Sequence, residues 1–310
     1  MEAVPSPFEF HKLLSAMSSP RPFMYLGAGA SRPLVPCTSG IQHSVLRDFA
    51  ALGSWPAPGD RNCALFDTIF PDFVPKTSID WLLFSNRGRL DLFVQKAITA
   101  PITRRPPAQY AVLRWTSPRA VFFNYNNDSL ASYHVGRQRQ VLTPHGSIDR
   151  EWTAATEIKK YLAWSLETNF PSLRYKVLPG PEQTDVTRQR CFSFARPKLT
   201  EATAVIIIGY SFARNRFGKL DDSESFEYLV EAQEKSSCPI YIVNDRPTDL
   251  EVRMQSRLKS KRVQLIQLRW DIFSNAILPL LDRCSSLGDL DSQAGILAVG
   301  QRYTNLSRIH

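Results

Sequence analysis

The chain has 310 residues, 43% of them hydrophobic, enough to build one large packed domain or two small ones. Its five cysteines (Cys37, Cys63, Cys191, Cys238, Cys284) are widely and unevenly spaced, which argues against a disulfide framework or paired zinc ligands, and no metal is expected. The formal charge of +9 is concentrated: residues 101–200 hold 15 Lys/Arg against 7 Asp/Glu, and the flanking segments are close to balance. That surplus suits an acidic partner, nucleic acid or a phosphate-bearing ligand, or else it is a solvated face. Met1 to Pro7 lacks the basic start and apolar core of a signal peptide, and no apolar run reaches membrane-spanning length, so a cytoplasmic protein without membrane contact is expected.

The first strong signal is Phe23-Met24-Tyr25-Leu26-Gly27-Ala28-Gly29-Ala30-Ser31, a short apolar strand running into a turn of glycines and small residues. Such a turn brings backbone N–H groups close to a pyrophosphate at a helix start, and it is also an ordinary way to pack a helix on a sheet. The dinucleotide fingerprint G-x-G-x-x-G fits poorly. Arg32 stands where its third glycine belongs, and Asp48, at the distance of the ribose-binding acid, lies in a segment with helical spacing. A hydride-transfer enzyme is therefore disfavoured.

Further apolar runs follow at Ala120 to Phe123, Val141 to Thr143, Ala204 to Ile208, Ile240 to Val243 and Val263 to Leu268. Between them lie helical patterns such as Phe226, Leu229 and Val230, or Ile272, Ala276, Leu280 and Leu281. Buried strands alternating with helices predict a doubly wound, Rossmann-like α/β fold with a parallel sheet. Residues 53–118, with amphipathic segments such as Ser78 to Leu83 that include Asp80, and the breaker-rich residues 150–200 read as insertions forming a smaller helical layer. Residues 1–284 are expected to form the catalytic domain, and 285–310 a tail without an obvious core-forming pattern.

In open α/β sheets, ligands gather at the carboxyl ends of strands. Here those ends carry Asn124-Tyr125-Asn126-Asn127-Asp128-Ser129-Leu130, then Pro144-His145-Gly146-Ser147, Gly209-Tyr210-Ser211, and Asn244-Asp245. Taken in order, these segments resemble the sirtuin family. Gly27 to Ser31 is similar to its phosphate loop, Asn126-x-Asp128-x-Leu130 to its N-x-D signature, and His145-Gly146 to its catalytic His-Gly. Gly209-x-Ser211 is similar to its second glycine–serine loop, and Asn244 to its late ribose-binding asparagine.

The resemblance implies that NAD is the substrate and that Asn126, Asp128 and His145 are catalytic. Breaking the nicotinamide–ribose bond passes through an oxocarbenium-like state, which needs dipolar or negative groups near C1′ and a histidine to move a proton. Cofactor contacts are assigned to Gly27, Ala28, Gly29, Ser31, Arg32, Gly209, Ser211, Asn244 and Asp245. Arg32 either pairs with the pyrophosphate or is an exposed helix arginine, and Asp245 either assists or caps the next helix. Asn124-Tyr125-Asn126 is a second register for the asparagine motif, less favoured because it loses the carboxylate.

The chain lacks the closely spaced cysteine pairs of deacylating sirtuins. It is therefore more similar to bacterial sirtuin-like proteins that hydrolyse NAD in antiviral defence, held inactive until a partner or signal acts. An NAD-dependent protein deacylase and a non-catalytic NAD-sensing subunit are the alternatives. A homo-oligomer or a complex with an activating or sensing protein is expected.

Overall fold

The computed structural model describes residues 5–35, 105–126, 128, 130–135, 139–144, 189–212, 223–246, 249–258 and 262–309. Most of both expected insertions, with Asp48, Asp80 and His145, lies outside the described residues.

Six parallel strands form one sheet: β1 (Pro22–Leu26), β2 (Val121–Asn124), β3 (Gln140–Leu142), β4 (Ala204–Ile208), β5 (Ile240–Asn244) and β6 (Val263–Gln267). Their order, β3-β2-β1-β4-β5-β6, is that of a doubly wound Rossmann-like fold. β1 and β4 are entirely buried, which is why their sequences are apolar without alternation. Both faces of the sheet are covered by helices, and side chains alternate between two cores. Met24, Leu26, Ile206 and Ile208 face one, whereas Phe23, Tyr25, Val205 and Ile207 face the other.

The first core is closed by α1 (Pro7–Ser18), α2 (Ala28–Ser31), α3 (Ala108–Ala111), α4 (Leu130–His134), α8 (Trp270–Leu281) and α9 (Gln293–Ser307). The second is closed by α5 (Gln189–Thr200), α6 (Ser223–Ser236) and α7 (Asp249–Leu258). No element was expected before Phe23, yet α1 has a complete start signal. Ser6 Oγ accepts from the Glu9 N–H at 3.3 Å, Glu9 Oε2 accepts from the Ser6 N–H at 2.7 Å, and Pro7 occupies the first helical position. Its buried Phe10, Leu13, Leu14 and Met17 fall on one helical face.

Residues 285–309 pack rather than trail. A 3₁₀ turn (Leu287–Asp291) and α9 bury Leu287, Leu290, Val299 and Tyr303 against α1 and α8. Four apolar positions divided between a turn and a helix have no single period, so the core-forming pattern was invisible until α1 supplied the opposite face. Phe10 of α1 meets the Tyr303 ring edge-on at 5.6 Å, and His11 Nδ1 lies 2.6 Å from Asp291 Oδ1.

Part of the basic surplus has structural uses. Arg139 donates to the carbonyls of Arg114 and Thr116, and Arg196 pairs with Glu231. Arg119 and Lys198 join Arg21 around a concavity of about 340 Å³ at the amino ends of the strands. Among the described residues, no helix is long and apolar enough to cross a membrane, and no cluster of three or more His, Cys, Asp or Glu is placed to hold a metal ion.

Candidate active site at the topological switch point

The strand order reverses between β1 and β4, so the chain leaves their carboxyl ends in opposite directions and a crevice opens between them. Both ends carry glycine. The Gly27 N–H donates to the Ile208 carbonyl at 2.9 Å, and the Gly29 N–H donates to the Gly209 carbonyl at 3.2 Å. A Cβ on Gly29 would stand 2.7 Å from Gly209 Cα, and a Cβ on Gly209 would run into the backbone of Gly29. Gly209 also has φ +56°, in the left-handed region. The sequence suggested that these glycines admit a pyrophosphate. Their first task is to let two loops touch, backbone to backbone.

A cleft of about 250 Å³ lies over this junction. Ala28, Gly29 and Arg32 form one wall, Gly209 and Ser211 the floor, and Asn244 and Asp245 a third side. Seven of the residues assigned to NAD contact thus meet in one place. Arg32, exposed, reaches across to the partly buried Asp245, Nη1 to Oδ2 at 3.4 Å. The Asn244 side chain is turned along the chain, its Oδ1 accepting from the Asp245 N–H at 3.1 Å. Arg253 steadies the floor by donating to the Ser211 and Phe212 carbonyls.

The fourth wall comes from the end of β6 and the start of α8: Leu268, Arg269, Trp270 and Asp271. None of these four was among the expected site residues, although they follow a strand end just as the others do. Arg269 and Asp271 form a close pair, Nη2 to Oδ2 at 2.8 Å. The Arg269 N–H donates to Tyr303 Oη at 3.0 Å, so α9 holds the start of α8 in place. Tyr210 stacks on Tyr125 at 4.1 Å between ring centres, tying the β4 loop to the β2 loop.

Gly27, Ser31, Asn126 and Asp128 do not line the cleft. Ser31 is 1% exposed and faces the opposite way, into a buried polar cluster behind the glycine turn. Asn126 Nδ2 donates to the Gly27 carbonyl at 2.8 Å and to Ser31 Oγ at 2.9 Å. Ser31 Oγ donates to Asp128 Oδ2 at 2.7 Å, and Asp128 Oδ1 accepts from the Leu130 N–H at 3.0 Å, at the start of α4. Burial pushes the Asp128 carboxyl up to about 6 against the lowering effect of these bonds. Asn124 is fully buried and exchanges bonds with the Asn126 backbone, which is a structural use for the alternative register. His145 lies outside the described residues.

The chain matches no family model and no curated protein. Among solved structures it is similar to Sir2Tm bound to a propionylated peptide, with a TM-score of 0.51 and 16% identity over 88% of this chain and 97% of that one. A structure described under the mechanism and regulation of Sir2 enzymes gives 0.48 and 15% identity over 97% of this chain and 98% of that one. Sir2 with a p53 peptide and NAD+ gives 0.46 and 14% over 88% and 98%. The fold is sirtuin-like.

Proposed function

We propose that this chain hydrolyses NAD at the nicotinamide–ribose bond, releasing nicotinamide and ADP-ribose. The observation that carries the reading is the junction of two glycine loops at the switch point, open to the cleft on one side and backed by Asn126 and Asp128 on the other. In this reading the pyrophosphate lies against Ala28, Gly29 and Arg32. The adenosine half lies toward Gly209, Ser211, Asn244 and Asp245. The nicotinamide ribose lies toward Asn126, Asp128 and His145.

The chemistry follows from charge. As the glycosidic bond breaks, positive charge grows at C1′, and a carboxylate and an amide oxygen held nearby lower its energy more in the transition state than in bound NAD. His145 takes a proton from ribose or water, its ordinary pKa lying close to working pH. The chain works in the cytoplasm, as an oligomer or with an activating protein, and its activity depletes NAD in antiphage defence. Continuous NAD consumption would be toxic, which is the reason to expect such control.

Protein deacylation is the second reading, favoured by the propionylated peptide in the Sir2Tm structure. The two separate in one assay. Purified protein is incubated with NAD, with and without an acylated lysine peptide, and products are resolved by chromatography. Nicotinamide and ADP-ribose without peptide support hydrolysis, and peptide-dependent acyl-ADP-ribose supports deacylation. Binding without turnover under any activating condition would leave an NAD sensor and refute both.

A further inference from the structure

Behind the glycine turn, Ser31 Oγ has three polar neighbours: Asp128 Oδ2 at 2.7 Å, Tyr110 Oη at 2.7 Å and Asn126 Nδ2 at 2.9 Å. A serine hydroxyl has one hydrogen to give and two positions at which to accept. The Asn126 nitrogen can only donate, and it takes one accepting position. An ionised Asp128 can only accept, and it takes the hydrogen. One accepting position remains, so the Tyr110 phenol must donate into it. Burial, and then the Asp128 carboxylate, push that phenol well above its ordinary value, so it carries the proton to give.

The amide of Asn126 is fixed by the same count. One of its hydrogens goes to the Gly27 carbonyl and the other to Ser31 Oγ, and turning it over would set Oδ1 against the Gly27 oxygen. Its orientation therefore depends on Ser31 keeping an accepting position toward it. Tyr110 fills the other one, so the hydroxyl is held at all three positions, and the phenol oxygen also borders the Asn126 amide directly. The ring is rigidly mounted: α3 is wedged in place by Gln109, whose Nε2 donates to the Arg32 carbonyl at 2.9 Å and whose own carbonyl accepts from Trp270 Nε1 at 3.3 Å.

We propose that Tyr110 is a positioning residue for the reaction centre, its phenol proton locking the Ser31 hydroxyl and, through it, the Asn126 amide that faces the nicotinamide ribose. The proposal rests on the NAD reading for its kinetic consequence, but not for its structural one. Tyr110 lies in none of the segments that resemble sirtuin motifs, and only the fold brings it to Ser31, 79 positions away in sequence.

The test uses the full chain as wild type, Tyr110→Phe, Ser31→Ala and the double variant. Tyr110→Phe keeps the ring and removes one hydrogen bond. We expect unchanged affinity for an uncleavable carbocyclic NAD analogue and a fall in kcat for nicotinamide release of about tenfold, the upper reach of one buried hydrogen bond. Ser31→Ala is expected to do the same, and the double variant to lose no more than the worse single one, because both act through one chain of bonds. A double loss equal to the product of the single losses would overturn the proposal, as would a Tyr110→Phe protein that melts earlier with kcat intact.

A second readout needs no NAD. Hydrogen exchange of the Asn126 side-chain amide, followed by NMR, is expected to accelerate about tenfold in Tyr110→Phe by the same reasoning, with the backbone amides of β2 unchanged. Unchanged Asn126 protection overturns the role of Tyr110 whatever the protein does with NAD. If no form of the protein cleaves NAD, the function fails and this readout alone decides Tyr110.

Discussion

Replacing Asp128 with asparagine is expected to make the protein more stable at neutral pH and to flatten one part of its pH dependence. Burial raises the folded-state carboxyl from its ordinary value of 3.8 to about 6, whereas in the unfolded chain it keeps the ordinary value. Between those two pH values the folded state binds more protons than the unfolded one, so stability falls as pH rises through the window. The contribution is fully present below about pH 4 and lost above about pH 6. A difference of about two in pKa corresponds to about 3 kcal/mol at pH 7.5.

The substituted amide can accept from the Leu130 N–H as Asp128 does, through its Oδ1. Its nitrogen would donate to Ser31 Oγ, whose hydrogen would then turn to Tyr110; the buried phenol proton then loses its Ser31 acceptor, which offsets about 1 kcal/mol or more of the gain. Urea unfolding of both proteins at pH 4.5, 6.0 and 7.5 gives the difference directly, and other titrating groups cancel. Asp128→Asn should gain on wild type as pH rises, by a total of about 2 kcal/mol between pH 4.5 and 7.5. Parallel pH profiles, or a variant weaker than wild type at pH 7.5 by more than about 1 kcal/mol, would refute the account of a costly buried charge.

Gly209→Ala, at φ +56° and against the Gly29 backbone, should lose about 2 kcal/mol or more in chemical unfolding together with NAD affinity; unaltered unfolding would remove the loop-to-loop contact from the explanation. Ala28→Leu, which intrudes on a cleft of about 250 Å³ without touching that contact, should weaken NAD binding in calorimetry while stability stays within about 1 kcal/mol. His145→Ala and Asn126→Ala should each lower nicotinamide release by about 10² to 10⁴-fold with NAD still bound, and near-normal turnover in His145→Ala would overturn the assigned mechanism. Truncation after Arg283 exposes the surface covered by Leu287, Leu290, Val299 and Tyr303, so light scattering should report aggregation; a soluble, cooperatively melting fragment would contradict the packing described.

The six strands of the sheet were legible in the sequence: β1 and β4 are continuous apolar runs buried along their length, the others are short apolar or β-branched runs, and their alternation with helical patterns leaves few folds open. The polar strand ends were legible for the same reason: residues such as Asn126, Ser211 and Asn244 break directly off an apolar run. What could not be read is which of them share a cavity and which way they face. Ser31, placed among the cofactor contacts with its loop neighbours, is instead buried against Tyr110, Asn126 and Asp128, partners that lie far from it in sequence. Tyr110 and Ser31 meet only after β1 and β2 pair in register, and Tyr303 supports Arg269 only once the last helix has docked. Local patterns record the burial of an element along its own length, whereas hydrogen bonds between distant side chains depend on the packing of several elements at once, and that was decided by the tertiary structure.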